Sequence, residues 1–342
     1  MEKENNHYYS LLHIKNWLKQ TNYKLFDKDI NGNRTYKKQE DFAIKFYYSL
    51  GEKDTTLEDN LSKFEKYIGK IISNIKSTKC NISLSLKQIE LLKLYCVFAA
   101  CRQHFTTEVI KSDPTDIYQS NDYIIGTHRI LTQEEVVKTC ENIYTEFERI
   151  KNMDDKILNE ALNNNPFNGL SDFTYGLHLN IFKSNKNSFC LSNICSIIEN
   201  TMDGNHLFVY IPISPNRALM LIKTKYYKDK ESYYKYLKLL GDIHYATHPD
   251  EWISVIFSED NANFENLLFP TYKIEKNNWV LKIQSLPHNI IEKFNSIFYE
   301  DGKLFLYIND NDLKHAQTHQ LNCREIEVVP YSFIKKTIKL FD

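Results

Sequence analysis

The sequence predicts an α+β fold, with a helix-rich N-terminal half and a C-terminal half that mixes helices with antiparallel strands. Three observations carry that prediction. Between about residues 55 and 150 apolar residues recur at three- and four-residue spacing, the period of helices with one buried face. Around Phe189–Leu191 and Phe208–Ile213 they form short continuous runs instead, each closed by a polar turn, Ser192-Asn193 and Ser214-Pro215-Asn216, as buried strands do. Beyond about residue 260, strand-like runs alternate with helical stretches. Residues 1–165 are therefore read as the mainly helical part of a core domain and 166–258 as its strand-containing part. Residues 259–342 are read as a small α+β C-terminal segment, packed on that core or appended to it.

Taken in order, Leu11, Leu12, Ile14, Trp17 and Leu18 mark a short amphipathic helix over 7–19, led in by His7-Tyr8-Tyr9. Asn31-Gly32 marks a hairpin between Tyr23–Lys28 and Arg34–Lys38. Residues 55–76 form a helix with a stripe of Leu57, Leu61, Phe64, Ile68, Ile71, Ile72 and Ile75, capped by Thr55 or Thr56. Residues 84–105 form a second helix, apolar on most sides and so central, with Arg102 near its end. A loop over 113–127 precedes a helix over 132–150, where Thr132 and Glu135 make a capping box, and more helix over 154–163. Asn163–Gly169 is the clearest break. Leu170–Phe182 reads as helix, and so does 230–248. The last part gives strands at Thr271–Glu275, Trp279–Gln284, Leu304–Ile308 and Glu325–Val329, and helices at Asn289–Phe298 and Asp312–Gln320.

Composition narrows the function classes. A net charge of −1 supplies no global field toward nucleic acid or an acidic membrane, so such a partner needs a local patch. The best local candidate for nucleic acid is the Lys- and Tyr-rich stretch Lys223–Lys238, whose lysines would meet phosphates and whose tyrosines could stack on bases; the same residues also fit a core stripe with a solvated lysine face. The seven cysteines are odd in number and include no CxxC, which points to reduced thiols and a cytoplasmic location. The N-terminus shows no secretory signal, and no apolar run is long enough for a membrane span. Gly-x-Gly-x-x-Gly, Walker-type and Gly-x-Ser-x-Gly motifs are absent, which removes support from nucleotide-dependent and lipase-like classes.

Five weak motifs, in order and at matching spacing, resemble the bacterial domain-of-unknown-function family 4238. They are His7-Tyr8-Tyr9-Ser10-Leu11-Leu12-His13-Ile14-Lys15-Asn16-Trp17, the paired Leu57-Glu58 and Phe64-Glu65, the apolar helix ending at Arg102, Phe189–Cys195, and Pro212-Ile213-Ser214-Pro215. The resemblance spans roughly residues 7 to 255 and implies an organisation rather than a substrate. Three departures stand out: Ser10 and Cys195 replace prolines of the family pattern, and Asn193 replaces its Asp. If that Asp serves as a base or a metal ligand, Asn193 alters the activity, since an amide neither carries the charge nor takes a proton at neutral pH.

The polar members of these motifs are the candidate site. His7, Arg102, Ser192 and Asn193 are the candidate catalytic set, with Glu58, Glu65, Ser214 and Asn216 as ligand-binding residues. A histidine to move a proton, an arginine to hold an anion and hydroxyl or amide groups to orient it would suit a metal-independent phosphoesterase or nuclease, for which anti-phage defence is one fitting setting. The other reading is a non-catalytic binding or interaction module in which the same residues cap helices and close turns. His244/His248 and His315/His319, the latter with Cys323 nearby, have a zinc-compatible spacing but lack a convincing full ligand set. No metal or cofactor is expected.

Overall fold

The computed structural model describes residues 5–7, 10–38, 40–45, 48, 55–102, 133–162, 169–171, 173–193, 197–200, 206–223, 272–275 and 278–318. The chain begins with β1 (Asn5–His7), α1 (Leu11–Leu18), β2 (Lys24–Asp27), β3 (Gly32–Arg34) and β4 (Ala43–Lys45). It continues through α2 (Thr56–Ser77), β5 (Asn81–Leu84), α3 (Leu86–Arg102), α4 (Gln133–Asn152) and α5 (Asp155–Ala161). Five strands follow: β6 (Leu177–Lys183), β7 (Leu191–Ser192), β8 (Ile197–Asn200), β9 (His206–Ser214) and β10 (Arg217–Lys223). The last described elements are β11 (Tyr272–Glu275), β12 (Asn278–Ser285), α6 (His288–Asp301), β13 (Leu304–Tyr307) and α7 (Asp310–Thr318). The fold is α+β, and its sheets are mostly antiparallel.

A large sheet ordered β11-β12-β6-β10-β9-β8 separates two cores. Alternate residues of its strands go to opposite sides, as the two-residue period of a strand requires. Leu177, Leu179, Ile181, Val209, Ile211, Ile213, Leu219 and Leu221 join the buried faces of α2, α3, α4 and α5. Phe182, Tyr210, Ala218 and Met220 join a second core with α1, α6 and a small sheet ordered β3-β2-β13-β7. Tyr210 stacks on Phe294 of α6 with ring centroids 4.0 Å apart. β12 ties the last part of the chain into the large sheet: residues 279–282 pair with β5, and residues 283–285 run parallel to β6.

The helical stripe of α2 is buried at every position named from sequence, Leu57 through Ile75. α3 is central: every residue from Leu91 to Ala100 is buried. The hairpin at Asn31-Gly32 forms, with Asn31 at φ 51° and Phe26 opposite Asn33. Three expectations need correction. Leu170–Phe182 is not a helix: it supplies a turn and then β6. β6 is buried on both faces, which erases the alternation that normally marks a strand. Ile82–Leu84 belongs to β5, so α3 starts at Leu86, where Ser85 and Gln88 make reciprocal capping hydrogen bonds of 3.2 and 3.0 Å. His7 lies in β1 opposite Ala43, and α1 begins only after Ser10. The loop over 113–127, Thr132, residues 163–168, the helix over 230–248 and the strand Glu325–Val329 lie outside the described residues.

One polar node sits inside the helical core. Glu90 and Lys93 of α3 are both fully buried and pair at 2.6 Å. The second carboxylate oxygen of Glu90 accepts from the Leu170 N–H at 3.1 Å and the Thr174 hydroxyl at 3.0 Å, fastening the turn that precedes β6. Burial lowers the Lys93 pKa, against the opposing pull of Glu90. Removing one partner of such a pair costs far more than removing both. Glu90→Gln should therefore destabilise the protein by about 3 kcal/mol in urea unfolding, and adding Lys93→Met, which removes the ammonium that has lost its carboxylate while the Gln oxygen still accepts from Leu170 and Thr174, should recover most of that loss.

Candidate functional site

Three of the sequence motifs meet at one buried junction, and α1 is its centre. Ser10 stands where the resemblance implies proline, and its hydroxyl accepts from the Leu12 N–H at 3.3 Å to cap α1. His13, 1% exposed, meets the Tyr95 hydroxyl of α3 at 3.0 Å through Nε2. Asn16 Nδ2 donates to the Ile213 carbonyl at 2.7 Å, while its Oδ1 accepts from the Lys76 ammonium at the end of α2. Trp17 Nε1 donates to the Phe189 carbonyl at 3.1 Å. The Phe189 N–H in turn donates to the Pro215 carbonyl at 3.0 Å. The first motif thus holds both strand-end motifs, and those two hold each other.

Residues 188–190 are buried without belonging to a strand. Asn295 of α6, 1% exposed, supplies what a neighbouring strand would: its Oδ1 accepts from the Cys190 N–H at 3.1 Å and its Nδ2 donates to the Ser188 carbonyl at 2.8 Å. Ser184 Oγ accepts from the Ser188 N–H at 3.3 Å.

The candidate residues divide into separate places. Ser192 is fully buried in β7, and its hydroxyl donates to Asn193 Oδ1 at 3.4 Å. Asn193 Oδ1 also accepts from the N–H groups of Lys303 and Leu304 at 2.7 and 3.0 Å, holding the turn from α6 into β13. Gly302 lies against this pair: a Cβ there would fall 1.8 Å from Ser192 Oγ and 2.6 Å from the Phe298 carbonyl oxygen. Ser214 and Asn216 sit at the β9–β10 turn, where Ser214 Oγ donates to Asn216 Oδ1 at 2.9 Å. Glu58 and Glu65 lie in the first half of α2, whereas the C-terminal end of that helix meets the junction. A rise of about 1.5 Å per residue puts Glu58 roughly 27 Å from Lys76 and Glu65 roughly 16 Å away. His7 and Arg102 are placed in β1 and at the end of α3, and their side chains lie outside the described residues.

The same junction carries a concentration of cations. Arg217, 7% exposed, donates to the Asn216 carbonyl at 2.8 Å and to the Thr78 carbonyl at 2.7 Å, just past the end of α2. Lys183 lies opposite Arg217 across β6 and β10, and its ammonium reaches the Lys79 carbonyl at 3.3 Å. Burial lowers the Arg217 pKa; burial, and then Lys19, lower that of Lys76. Among the described residues none of Lys19, Lys76, Lys79, Lys183 and Arg217 forms an ion pair with a carboxylate. Sequence reasoning missed Asn16, Trp17, Lys76, Lys183, Arg217, Asn295 and Gly302 as parts of this junction. The available signal was Trp17, whose indole N–H needs an acceptor when its ring is fully buried.

Among the described residues no group of three His, Cys, Asp or Glu side chains could hold a metal ion. Among them, too, no helix is long and apolar enough to cross a membrane. His244, His248, His319 and Cys323 lie outside the described residues. Cys80, Cys96 and Cys190 are free thiols, and burial pushes Cys96 and Cys190 upward, away from reactive thiolate.

The profile of a family described as protein of unknown function (DUF4238) matches residues 5–312. The chain belongs to that family. The match runs from β1 into α7, beyond the motifs recognised in the sequence, and so includes β12, α6 and β13. Comparison with curated proteins and with solved structures finds no match for this DUF4238 member.

The Asn193 geometry gives a direct expectation. Asn193→Asp keeps an Oδ1 acceptor for both N–H groups and should leave the urea-unfolding free energy within about 0.5 kcal/mol of the parent. Asn193→Leu removes the acceptor for two backbone N–H groups and should cost about 1–3 kcal/mol.

Proposed function

We propose that the protein binds a phosphate-bearing ligand, nucleic acid included, through the basic face around the end of α2. The observation that carries this reading is the set of five cations, Lys19, Lys76, Lys79, Lys183 and Arg217, with no carboxylate partner among the described residues. Part of their charge complements the carbonyl end of α2. The cost of holding Lys76 and Arg217 partly desolvated favours an approaching anion as well. Ser214 and Asn216 lie at the edge of this face and are the groups of the candidate set best placed to orient a ligand.

A specific observation favours binding without turnover. Ser192 and Asn193 are engaged with each other and with the Gly302–Leu304 turn, which leaves Asn193 Oδ1 serving backbone donors rather than a reacting group. The reading as a non-catalytic module therefore gains over a phosphoesterase or nuclease acting through that pair.

The test is titration of a fluorescently labelled single-stranded oligonucleotide over a range of salt concentrations. Charge reversal at the outward members, Lys79→Glu with Lys183→Glu, should weaken binding at low salt by at least about tenfold. It should also flatten the log–log salt dependence by about 0.7 for each phosphate that is no longer neutralised. Affinity indifferent to salt and to both reversals would remove this face from the account.

A further inference from the structure

Where α6 meets α7, two imidazoles share one carboxylate oxygen. His288 Nε2, in the first turn of α6, lies 3.5 Å from Glu292 Oε1, and His315 Nε2, from α7, lies 3.3 Å from the same atom. Both histidines are open to solvent, at 46% and 57% side-chain exposure. One turn before His315, Asp312 is buried at 3% exposure, and its Oδ2 accepts from Asn309 Nδ2 at 3.1 Å.

The surroundings of Asp312 are assembled from several elements. α6 contributes His288 and Glu292, α7 contributes His315, and the segment before β7 contributes the Cys190 thiol. Tyr307 of β13 and the ion pair of Lys24 in β2 with Asp310 in α7, at 2.6 Å, lie at the beginning of α7. Burial pushes the Asp312 carboxyl up to about 6; Glu292 acts in the same direction, while the Asn309 amide and both histidines oppose it.

We infer that this junction is a proton-operated latch, which holds α7 on α6 in mildly acidic solution and loosens as protons leave. With its proton in place Asp312 is neutral in its buried position, beside the Glu292 side chain that the two histidines flank. Without that proton a buried charge faces Glu292 across the contact between α6 and α7. Asp312 is raised above its ordinary value of 3.8, so the folded protein holds this proton more tightly than the unfolded chain. Its contribution is complete below about pH 4 and is lost as the pH rises through about 6. The latch also reaches the turn before the buried segment, because Asn309 Nδ2 donates to the Lys186 and Asn187 carbonyls at 3.0 and 3.4 Å.

Amide hydrogen exchange of the full chain, corrected for intrinsic rates, reads the latch directly. Protection of α7 should fall at least about tenfold between about pH 5 and about pH 8, as a carboxyl raised by more than one pK unit requires, while α3 serves as the unchanged internal reference. Asp312→Asn should keep α7 protected at the higher pH. His288→Gln combined with His315→Gln, both at exposed positions, removes two groups that oppose the rise of the Asp312 carboxyl and should move the midpoint of the α7 dependence to higher pH. Corrected α7 protection that is independent of pH would overturn the inference, as would the full parent dependence persisting in Asp312→Asn.

Discussion

The structure depends on satisfying the backbone of one buried, non-sheet segment. Ser188, Phe189 and Cys190 cross the second core outside the ladder of the large sheet. Buried N–H and C=O groups left without partners cost about 1–3 kcal/mol each. Here they are met by Asn295 from α6, Trp17 from α1, Pro215 from the β9–β10 turn and Ser184 from the end of β6. Three elements distant in sequence, α6, α1 and the β9–β10 turn, are thereby fixed to one strip of chain. Asn16 repeats the device at Ile213, so α1 clamps both strand ends at once.

That constraint accounts for much of what the motif residues do. A tryptophan and asparagines placed in an apolar core are expensive unless each polar atom finds a partner. In this fold most of the partners, apart from Lys76 at Asn16 Oδ1 and the Ser192 hydroxyl at Asn193, are main-chain atoms, which bind wherever the backbone runs. Asn193 follows the same rule at the α6–β13 turn, where an amide or a carboxylate oxygen would accept equally from Lys303 and Leu304. An asparagine where the family resemblance implies aspartate therefore keeps this architectural role. The surface left for binding is the basic rim of the junction, where Arg217 and Lys183 face the end of α2.

The helices were legible because one-faced burial imprints a period: every stripe position of α2 is buried, and the nearly all-apolar α3 is central. The end of β9 was legible from Ser214-Pro215-Asn216, since proline and asparagine set the turn locally, whereas its partner β10 was not legible as a strand. Nor was β6, because its faces meet different cores and both Leu177–Ile181 and Phe182 are buried. The candidate set was gathered by chemical type, whereas the structure joins Asn16, Trp17, Phe189 and Asn295 through backbone atoms that no side-chain pattern announces. Glu58 and Glu65 illustrate the cost of that approach: they share a helix with Lys76 yet lie in its first half, away from the junction.

Asn295→Leu offers the most direct test, since it keeps the branched shape of the side chain and removes both of its hydrogen bonds to Ser188 and Cys190. Equilibrium unfolding in urea should show a loss of about 2–6 kcal/mol, the penalty for two buried backbone groups without partners. A variant within about 0.5 kcal/mol of the parent, the range of an inconsequential substitution, would contradict the claim that this segment's hydrogen bonds hold the two strand ends and α1 together.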